Sequence, residues 1–397
     1  MNKRLVLTAC FITVFVAYAV RYGYGILLPD MLNSLNITKT DAGIIFSSFF
    51  IAYTIGAPIC GFIGDKYGSR WLLGSFITLL GIGAFLMSFA NSLMQASLFF
   101  MLAGIGSAAC WAPVLAVAQR WTNVEHRGRT LAYIDIGSAL GIIAMGLFVP
   151  FIVKVSDWRT GWMVLGAITI AAGLLNYAVI KNPENTQSST KKTKPAGIPL
   201  AKLLRNSQFW LFGVAYFFAG ISYAIPFTFL STYAVQEISL SYTAAANIMT
   251  LLGFGAIISK LAIGPLSDRT GRLKMLLLCS FLIFAGVLSM ILRNAVTLYI
   301  AAFIFSLGYG AIWAMYGAAA SDYFSQESSG TIVGLWTLFL GCGSTLAPIV
   351  SGWIADATGT LSWSFGFGAA GGLVSVMLLI PLWRKIKPNS LANAIPE

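Results

Sequence analysis

Residues 61–70 read Gly-Phe-Ile-Gly-Asp-Lys-Tyr-Gly-Ser-Arg, a short charged stretch rich in glycine that we interpret as a loop between two long apolar runs. A related stretch, Gly-Pro-Leu-Ser-Asp-Arg-Thr-Gly-Arg, follows at residues 264–272 and repeats the pattern Gly-x-x-x-Asp-basic-x-Gly. Asp65 and Asp268 are 203 residues apart, about half of the 397-residue chain. A repeat of this period indicates two related halves, which in an apolar chain are typical of membrane proteins with internal repeats.

The composition indicates a membrane protein. Hydrophobic residues make up 58% of the chain and charged ones 10%, with a mean hydropathy of +0.81, whereas about a quarter of the residues are charged in soluble proteins. A membrane-spanning helix needs about 20 apolar residues. Twelve such runs cover residues 5–29, 42–64, 71–90, 95–119, 130–153, 161–180, 208–233, 244–266, 274–292, 296–320, 331–354 and 361–383.

These runs predict an all-α fold of twelve transmembrane helices in two six-helix bundles. The first bundle takes residues 1–180 and the second takes residues 208–397. Residues 181–207 are polar, with several lysines and no apolar periodicity, so we predict a cytoplasmic linker. The first run is too long for a cleaved signal peptide and is interpreted as a retained helix.

The positions of the charges explain the net charge of +12. If the N-terminus is cytoplasmic, nineteen Lys and Arg residues fall in inside segments, and only Lys39, Lys154, Arg159 and Arg293 fall outside. Positive charges concentrate on the cytoplasmic side of membrane proteins. We therefore predict cytoplasmic termini in the cell (inner) membrane, and the basic excess gives no reason to expect nucleic-acid binding.

Two basic residues stand inside predicted helices. Arg21 lies eight residues before Pro29, which is about 12 Å along a helix, and Tyr18 and Tyr24 share its face. Lys260 has small residues on its face, of the kind that meet other helices rather than lipid. Either side chain can instead extend to the membrane surface along its own stem. We predict that both point inward.

Asp135 is the acidic residue inside a predicted helix. A carboxylate at such a position indicates a functional role by default. It is also only about two turns from Arg127 and Arg129 and can pair with them at the inner surface. The sequence leaves that pairing and a role in proton or substrate coupling equally open.

Aromatic residues recur at helical spacing in the seventh and tenth runs. Stripes of this kind are more often packing than a binding wall, but two of them favour a pocket lined by rings. The candidate wall residues are Tyr24, Tyr216, Tyr223, Tyr309, Trp313 and Tyr316.

Catalytic and metal chemistry have little support in the sequence. The single histidine, His126, lies in a charged turn, and the five cysteines are scattered within apolar runs. No nucleophile stands with partners that would activate it. We therefore predict that the chain is not an enzyme and holds no metal or cofactor.

The two glycine-rich stretches resemble the signature of the major facilitator superfamily, which in that family lies between helices 2 and 3. The first copy is matched by Gly61, Asp65, Lys66, Gly68 and Arg70, and the weaker copy by Gly264, Asp268, Arg269, Gly271 and Arg272. The resemblance covers nearly the whole chain. It implies that these residues latch the inner ends of the two bundles together in the outward-open state.

A finer resemblance is to bacterial monocarboxylate and oxalate/formate-type organic-anion carriers. It rests on the charge at Lys260, on Ala347-Pro348 and on Gly-Trp-Ile-Ala-Asp at residues 352–356. Those carriers typically have arginine where this chain has Lys260. Many proton-coupled drug carriers have an arginine in helix 4 at a position that aligns near Phe100 of this chain. The fifth predicted helix also lacks the Gly-Pro motif of drug/proton antiporters. Both differences argue against drug efflux.

The resemblance and the charges together predict secondary active transport. Two inward cations outnumber one anion in the membrane, which favours a small organic anion, a mono- or dicarboxylate, bound by Arg21 and Lys260. Proton symport through Asp135 is a further hypothesis, and uniport and anion exchange stay open. The alternatives are polyspecific efflux of drugs or metabolites and a membrane sensor that does not transport. We expect a monomer.

Overall fold

A computed structural model describes residues 3–180, 200–324 and 328–385 of the protein. These residues form fourteen α-helices and two short 3-10 turns. The helices are α1 (Lys3–Leu35), α2 (Lys39–Tyr67), α3 (Ser69–Met87), α4 (Leu93–Ser107), α5 (Ala112–Arg120), α6 (Arg127–Val155), α7 (Trp158–Val179), α8 (Leu200–Leu204), α9 (Ser207–Gln236), α10 (Tyr242–Thr270), α11 (Arg272–Ser289), α12 (Ala295–Tyr323), α13 (Ser329–Thr358) and α14 (Ser362–Lys385). Of the predicted linker, residues 181–199 lie outside the described residues, and its end holds α8.

The predicted number of membrane spans is confirmed. Twelve stretches of the described residues are long and apolar enough to cross a membrane. Their ends differ from the predicted runs: α1 continues past Pro29 to Leu35, because a membrane helix tolerates proline where its neighbours compensate for the lost hydrogen bond. The fourth span is not one helix as predicted. It breaks between Ser107 and Ala112, and Pro113 lies in the first turn of α5, where its missing N–H is not needed.

The internal repeat extends through local structure. The 29-residue helices α2 and α10 begin and end 203 residues apart, after the N-cap residues Thr38 and Ser241. Gly68 and Gly271, also 203 residues apart, separate each of these helices from the next and have φ of +84° and +99°. Only glycine adopts such backbone angles readily. The prediction of a loop at 61–70 was therefore wrong: residues 61–67 are the last turns of α2, and the break is Gly68 alone.

The helices pack as two bundles. In the N-terminal bundle α1 packs on α6 and α7, and α3 packs on α4 and α7. In the C-terminal bundle α9 packs on α13 and α14, and α11 packs on α12 and α14. The bundles meet along three helix pairs, α1 with α9, α2 with α13 and α6 with α10. We call the side of the molecule where α1 begins and α14 ends the inner side, and the opposite side the outer side.

Glycines allow the bundles to approach closely at the outer side. A Cβ atom built on Gly25 would lie 2.1 Å from the carbonyl oxygen of Phe227, and one on Gly43 would lie 2.2 Å from that of Pro348. Nearer the inner ends, a Cβ on Gly264, on Gly317 or on Gly334 would meet no atom within 4 Å. The contacts at Gly25 and Gly43 therefore close the two bundles at the outer side.

A carboxylate strengthens this outer closure. Asp356 of α13 accepts hydrogen bonds from the backbone N–H groups of Lys39 and Thr40, at 3.1 and 2.8 Å, and from the Thr40 hydroxyl at 2.6 Å. The first N–H groups of a helix have no partner within the helix and carry partial positive charge. Asp356 therefore caps α2 from the opposite bundle, a contact that joins the two halves.

Candidate functional site

Arg21 lies in the most enclosed part of α1. Residues 19–29 of this helix are all buried, since α6 and α7 cover it on one side and α9 on the other. The Arg21 side chain cannot reach the membrane surface from there, and only 5% of the residue is exposed. The sequence prediction that Arg21 points inward agrees with this position.

Four rings surround the Arg21 guanidinium. Its carbon lies 4.5 Å from the ring centre of Tyr53 and 4.9 Å from that of Tyr18, with Phe49 and Phe50 at 5.4 and 5.5 Å. Cation–π contacts of this kind contribute about 0.5–2 kcal/mol each. They replace part of the lost hydration, but they carry no negative charge to balance the cation.

Hydrogen bonding leaves Arg21 incompletely satisfied. Its Nη2 donates to Ser107 Oγ at 3.2 Å, and its buried Nε has no hydrogen-bond partner. The ion pairs of the described residues do not include Arg21. A cation held at the middle of a membrane without a counter-charge costs about 2.5–3.5 kcal/mol on insertion scales. The guanidinium therefore has both the unused donor and the uncompensated charge that an anion would satisfy.

The break in the fourth span supplies the serine beside Arg21. Ser107 is the last residue of α4, and four residues separate it from α5. Its hydroxyl also lies 3.7 Å from Cys110 Sγ in this break. Discontinuous helices near the membrane midplane are a recurrent way of building binding sites, because their backbone can line a cavity.

Five of the predicted wall residues form one cluster of rings on α9 and α12. Tyr216 stacks on Tyr316 with ring centres 3.8 Å apart, and Tyr223 contacts both Trp313 and Tyr309 at 5.1 and 5.8 Å. We call these five residues the ring cluster. Its members come together as the helical spacing predicted, and whether they touch a substrate stays a prediction.

Tyr22, which the sequence reasoning missed, joins the ring cluster to α1. Its hydroxyl lies 2.9 Å from that of Tyr309 across the bundle interface. Its ring centre lies 4.0 Å from that of Phe227. Tyr22 follows Arg21 directly, so α1 turns Arg21 to the rings of α2 and turns Tyr22 to the opposite bundle.

Tyr24 lies apart from the ring cluster. It is completely buried in the N-terminal bundle against Phe46 and Phe100, and its hydroxyl donates to the carbonyl of Ala42 at 2.8 Å. Three residues along a helix correspond to a rotation of about 60° between side chains. On a helix buried all round, that rotation is enough to send Arg21 and Tyr24 to different neighbours, so placing Tyr24 in the binding wall is not supported by its position.

Lys260 and Asp135 form an ion pair between the two bundles. The Lys260 Nζ lies 2.7 Å from Asp135 Oδ1, and it also donates to the Asp135 carbonyl at 3.0 Å and to Ser138 Oγ at 2.8 Å. The side chains are 12% and 31% exposed. Lys260 points inward as predicted, and its counter-charge is supplied by the protein.

The pairing of Asp135 with Arg127 or Arg129, one of the two alternatives that the sequence left open, is not what the structure shows. Both arginines are exposed at the inner end of α6. The packing of α6 on α10 brings Lys260 to the carboxylate instead, because Gly253 lets α10 approach the Ala139 carbonyl, which a Cβ would meet at 2.9 Å. Lys260 thus balances the charge of Asp135, and Arg21 has no acidic partner among the described residues.

Two of the described latch residues, Arg70 and Arg272, contact residues of their own bundles. Arg70 Nε donates to the Tyr177 carbonyl at 2.7 Å. Arg272 pairs with Asp268 at 2.6 Å and with Asp322 at 3.7 Å, and Arg269 is exposed. The side chains of Asp65 and Lys66 and the surroundings of Gly61 lie outside what the structure describes. The latch between the two bundles stays a prediction.

The described residues contain no group of three or more His, Cys, Asp or Glu side chains that could hold a metal ion.

The comparison with known families is decisive for the fold. The family model of the Major Facilitator Superfamily matches residues 10–246 and, again, residues 212–397. The chain belongs to this superfamily. The predicted family and fold are confirmed, and the chain is a secondary transporter of the superfamily's type and not an enzyme.

Curated members of the superfamily align with almost the whole chain. The hexuronate transporter of Bacillus subtilis is 25% identical and covers 98% of this chain and 95% of its own length. The probable sulfoacetate transporter of Cupriavidus necator is 24% identical, with 96% and 94% covered. The membrane sensor protein UhpC of Salmonella typhimurium is 23% identical, with 96% and 93% covered.

A solved superfamily structure supports the same architecture. The bacterial homologue of the human lysosomal transporter Spinster, in its inward-facing and unoccupied conformation, superimposes with a TM-score of 0.73. It is 16% identical and covers 96% of this chain and 95% of its own. At this identity the match concerns the fold alone.

Proposed function

We propose that this transporter carries a small organic anion, a carboxylate, across the cell membrane by alternating access, and that Arg21 binds its charged group. The observation that carries the proposal is that Arg21 is only 5% exposed and that its guanidinium has no acidic partner among the described residues. A bound carboxylate would offset the cost of that charge. It would also accept from the Nε that has no partner.

The relatives support an anionic substrate. Hexuronates carry a carboxylate, and sulfoacetate carries a carboxylate and a sulfonate. The names leave open how many charges a substrate of this chain has. They also leave open the role of Lys260, which we assigned to the substrate from the sequence and which Asp135 engages in this conformation.

Proton symport is the finer part of the proposal, with Asp135 as the proton carrier. Because Asp135 holds Lys260 across the bundle interface, protonating the carboxylate would break an ion pair between the two halves. Proton binding would thereby be linked to the movement of the bundles. Uptake by an Asp135→Asn protein should then no longer respond to a proton gradient, and a normal response would exclude Asp135 as the carrier.

The experiment that tests the function is uptake into proteoliposomes. Labelled lactate, pyruvate, oxalate, succinate and glucuronate are supplied with and without an inward proton gradient, with protein-free liposomes as the control. We expect saturable uptake of at least one acid, and acceleration by the gradient if transport is proton-coupled. Failure of every acid to enter would contradict the proposal.

A sensor is the second candidate, because one relative is named as a membrane sensor. A sensor would bind the acid, seen as a rise in unfolding temperature, without moving it into the vesicles. Efflux of apolar compounds, which the many rings suggest, would instead appear as resistance of expressing cells to such compounds. These measurements distinguish transport of an organic anion, sensing of that anion and efflux of apolar compounds.

A further inference from the structure

The four rings around Arg21 differ in their position along the membrane. Tyr18 precedes Arg21 by three residues on α1, which runs from the inner to the outer side. Tyr53 follows Phe49 and Phe50 on α2, which runs back to the inner side, and three residues span about 4.5 Å along a helix. We call Tyr18 and Tyr53, which lie towards the inner side, the inner ring pair. Phe49 and Phe50 are the outer ring pair.

Exposure separates the two pairs. Phe49 and Phe50 are 0% and 2% exposed. Their ring centres lie 4.9 Å from that of Phe100 and 5.3 Å from that of Phe46, within the N-terminal bundle. The inner ring pair is partly exposed. Open space near the buried guanidinium of Arg21 therefore adjoins the inner ring pair and not the outer one.

The exposed part of Tyr53 is turned away from the lipid. Ile51 and Ile55 are 40% and 62% exposed and mark the lipid-facing side of α2. Tyr53 is two residues from each, a rotation of about 200° around the helix, so it projects from the opposite side. Its neighbour Thr54 borders the other bundle, since a Cβ atom on Gly341 of α13 would lie 2.3 Å from the Thr54 hydroxyl oxygen. Tyr53 thus faces the interface between the bundles.

Tyr18 borders the same interface. Its ring centre lies 5.8 Å from that of Tyr22, and the Tyr22 hydroxyl meets that of Tyr309 in the opposite bundle. The inner ring pair therefore stands between the guanidinium of Arg21 and the bundle interface.

These rings oppose an anion as long as they cover the guanidinium. The face of an aromatic ring carries partial negative charge, which attracts a cation and repels an anion. A partly exposed side chain changes rotamer quickly, whereas rings packed in a dense interior are held by their neighbours. An anion therefore has a passable route on the side of Tyr18 and Tyr53 and none on the side of Phe49 and Phe50.

We infer that the anion reaches Arg21 past the inner ring pair, and that Tyr53 is the cover of the site. Its ring lies nearest to the guanidinium, at 4.5 Å, and turns aside when the anion binds. The inference rests on the proposed function for the nature of the ligand, and it adds two residues and a direction of access to the site.

The first test measures how accessible Arg21 is when single rings are removed. Purified protein is treated with phenylglyoxal, which adds to guanidinium groups, and the modified Arg21 peptide is quantified by mass spectrometry. We expect Tyr53→Ala to raise the initial rate of Arg21 modification at least about tenfold. Tyr53→Phe keeps the ring and should keep the wild-type rate.

Phe50→Ala is the matched control, because it removes a ring at 5.5 Å from the same guanidinium carbon but on the buried side. Its Arg21 should react at the wild-type rate. A wild-type rate in Tyr53→Ala, or an equal rise in Phe50→Ala, would overturn the inference.

The second test applies if Tyr53→Ala does not fold, and it also includes the ligand. Cysteine replaces each of the four rings in turn, and the protein is labelled with the anionic thiol reagent 2-sulfonatoethyl methanethiosulfonate, which does not enter an apolar phase. Labelling of each position is read by mass spectrometry. We expect Tyr18→Cys and Tyr53→Cys to react at least about tenfold faster than Phe49→Cys and Phe50→Cys.

Addition of acids separates the inference from the function on which it rests. Lactate, pyruvate, oxalate, succinate and glucuronate are added in turn, and at least one of them should slow the labelling of Tyr53→Cys. Equal labelling of all four positions, or faster labelling of the phenylalanine positions, contradicts access past the inner ring pair. If the labelling pattern holds but no acid slows it, the proposed function fails and the inner ring pair still marks the access to Arg21.

Discussion

In the proposed function, Arg21 is the side chain that binds the transported anion. Replacing it by glutamine keeps much of its bulk and removes the charge, so uptake of the transported acid should fall at least about 100-fold, equivalent to roughly 2.7 kcal/mol. Arg21→Lys should retain part of the uptake, since an ammonium group keeps the charge but lacks the planar fork that stacks on rings. The measurement is initial uptake per milligram of reconstituted protein.

Lys154→Gln is the control for this prediction. Lys154 is exposed near the outer end of α6, so its loss removes a positive charge without touching the site. The Lys154→Gln protein should take up the acid at the wild-type rate. Wild-type uptake by Arg21→Gln would mean that its buried charge serves the structure and not the substrate.

At the scale of residues, the sequence predicted which charged side chains point into the molecule better than it predicted their neighbours. Helical spacing placed Tyr18 on the face of Arg21, and the two are in contact. Spacing within one helix says nothing about another, so Tyr53 on α2 could not be found in this way. The pair of Asp135 and Lys260 escaped prediction for the same reason, because 125 residues and a bundle interface separate them.

At the scale of elements, the breaks between α2 and α3 and between α10 and α11 are each set by a single glycine. Gly271 and Gly264 both have open space around a Cβ atom, but Gly271 has a φ of +99° while Gly264 lies within α10. Gly271→Ala should therefore lower the free energy of unfolding by about 1–3 kcal/mol through backbone strain alone. Gly264→Ala should leave it unchanged or raise it by up to about 1 kcal/mol.

Unfolding of both variants in detergent, followed by tryptophan fluorescence, checks the pair. Equal stabilities would show that the break at Gly271 tolerates a side chain and that its backbone is not strained. Gly68 is the corresponding position of the first half, with a φ of +84°.

Element boundaries were the part of the fold that the sequence predicted least well. The glycines and charges of residues 61–67 indicated a loop, yet a helix that leaves the membrane can keep its hydrogen bonds while its side chains meet water. The break at residues 108–111 was hidden because its residues are as apolar as a helix. Pro113 was the available signal, and its place in a first turn was the one consistent with its chemistry.

At the scale of the whole molecule, Asp356 stabilises the outer closure. Asp356→Asn weakens the cap on α2, and losing a helix cap costs about 0.5–2 kcal/mol. The closed state should therefore become less favoured by roughly 2- to 30-fold. Spin labels at Val155 and Val296, exposed positions at the outer ends of opposite bundles, should then show an increased population at long distance.

Glu237→Gln is the matched control for Asp356. Glu237 is also an acidic residue at the outer side, and it also accepts from a backbone N–H, that of Leu361 at 2.6 Å. Its partners belong to its own bundle, so its loss should not alter the distances between the bundles. The same shift in both variants would show that any weakened cap opens the outer side.

The order of the twelve spans and their division into halves followed from composition and from the repeat, because membrane insertion demands apolar runs of fixed length. The conformation did not follow from them. Whether the halves separate at the inner or the outer side depends on contacts such as those of Gly25 and Asp356, and the same sequence supports both arrangements during alternating access.

Helix caps and helix breaks recur in the second half of the chain at an offset of 203 residues, but the charged residues inside the helices do not. Thr38 and Gly68 have their counterparts in Ser241 and Gly271, whereas Arg21, Asp135 and Lys260 correspond at the same offset to Ala224, Leu338 and Ala57. A duplicated ancestor would explain the shared caps and breaks, and later single substitutions in one copy would explain the charges. Selectivity in such a molecule can evolve one side chain at a time while the scaffold that moves it is left untouched.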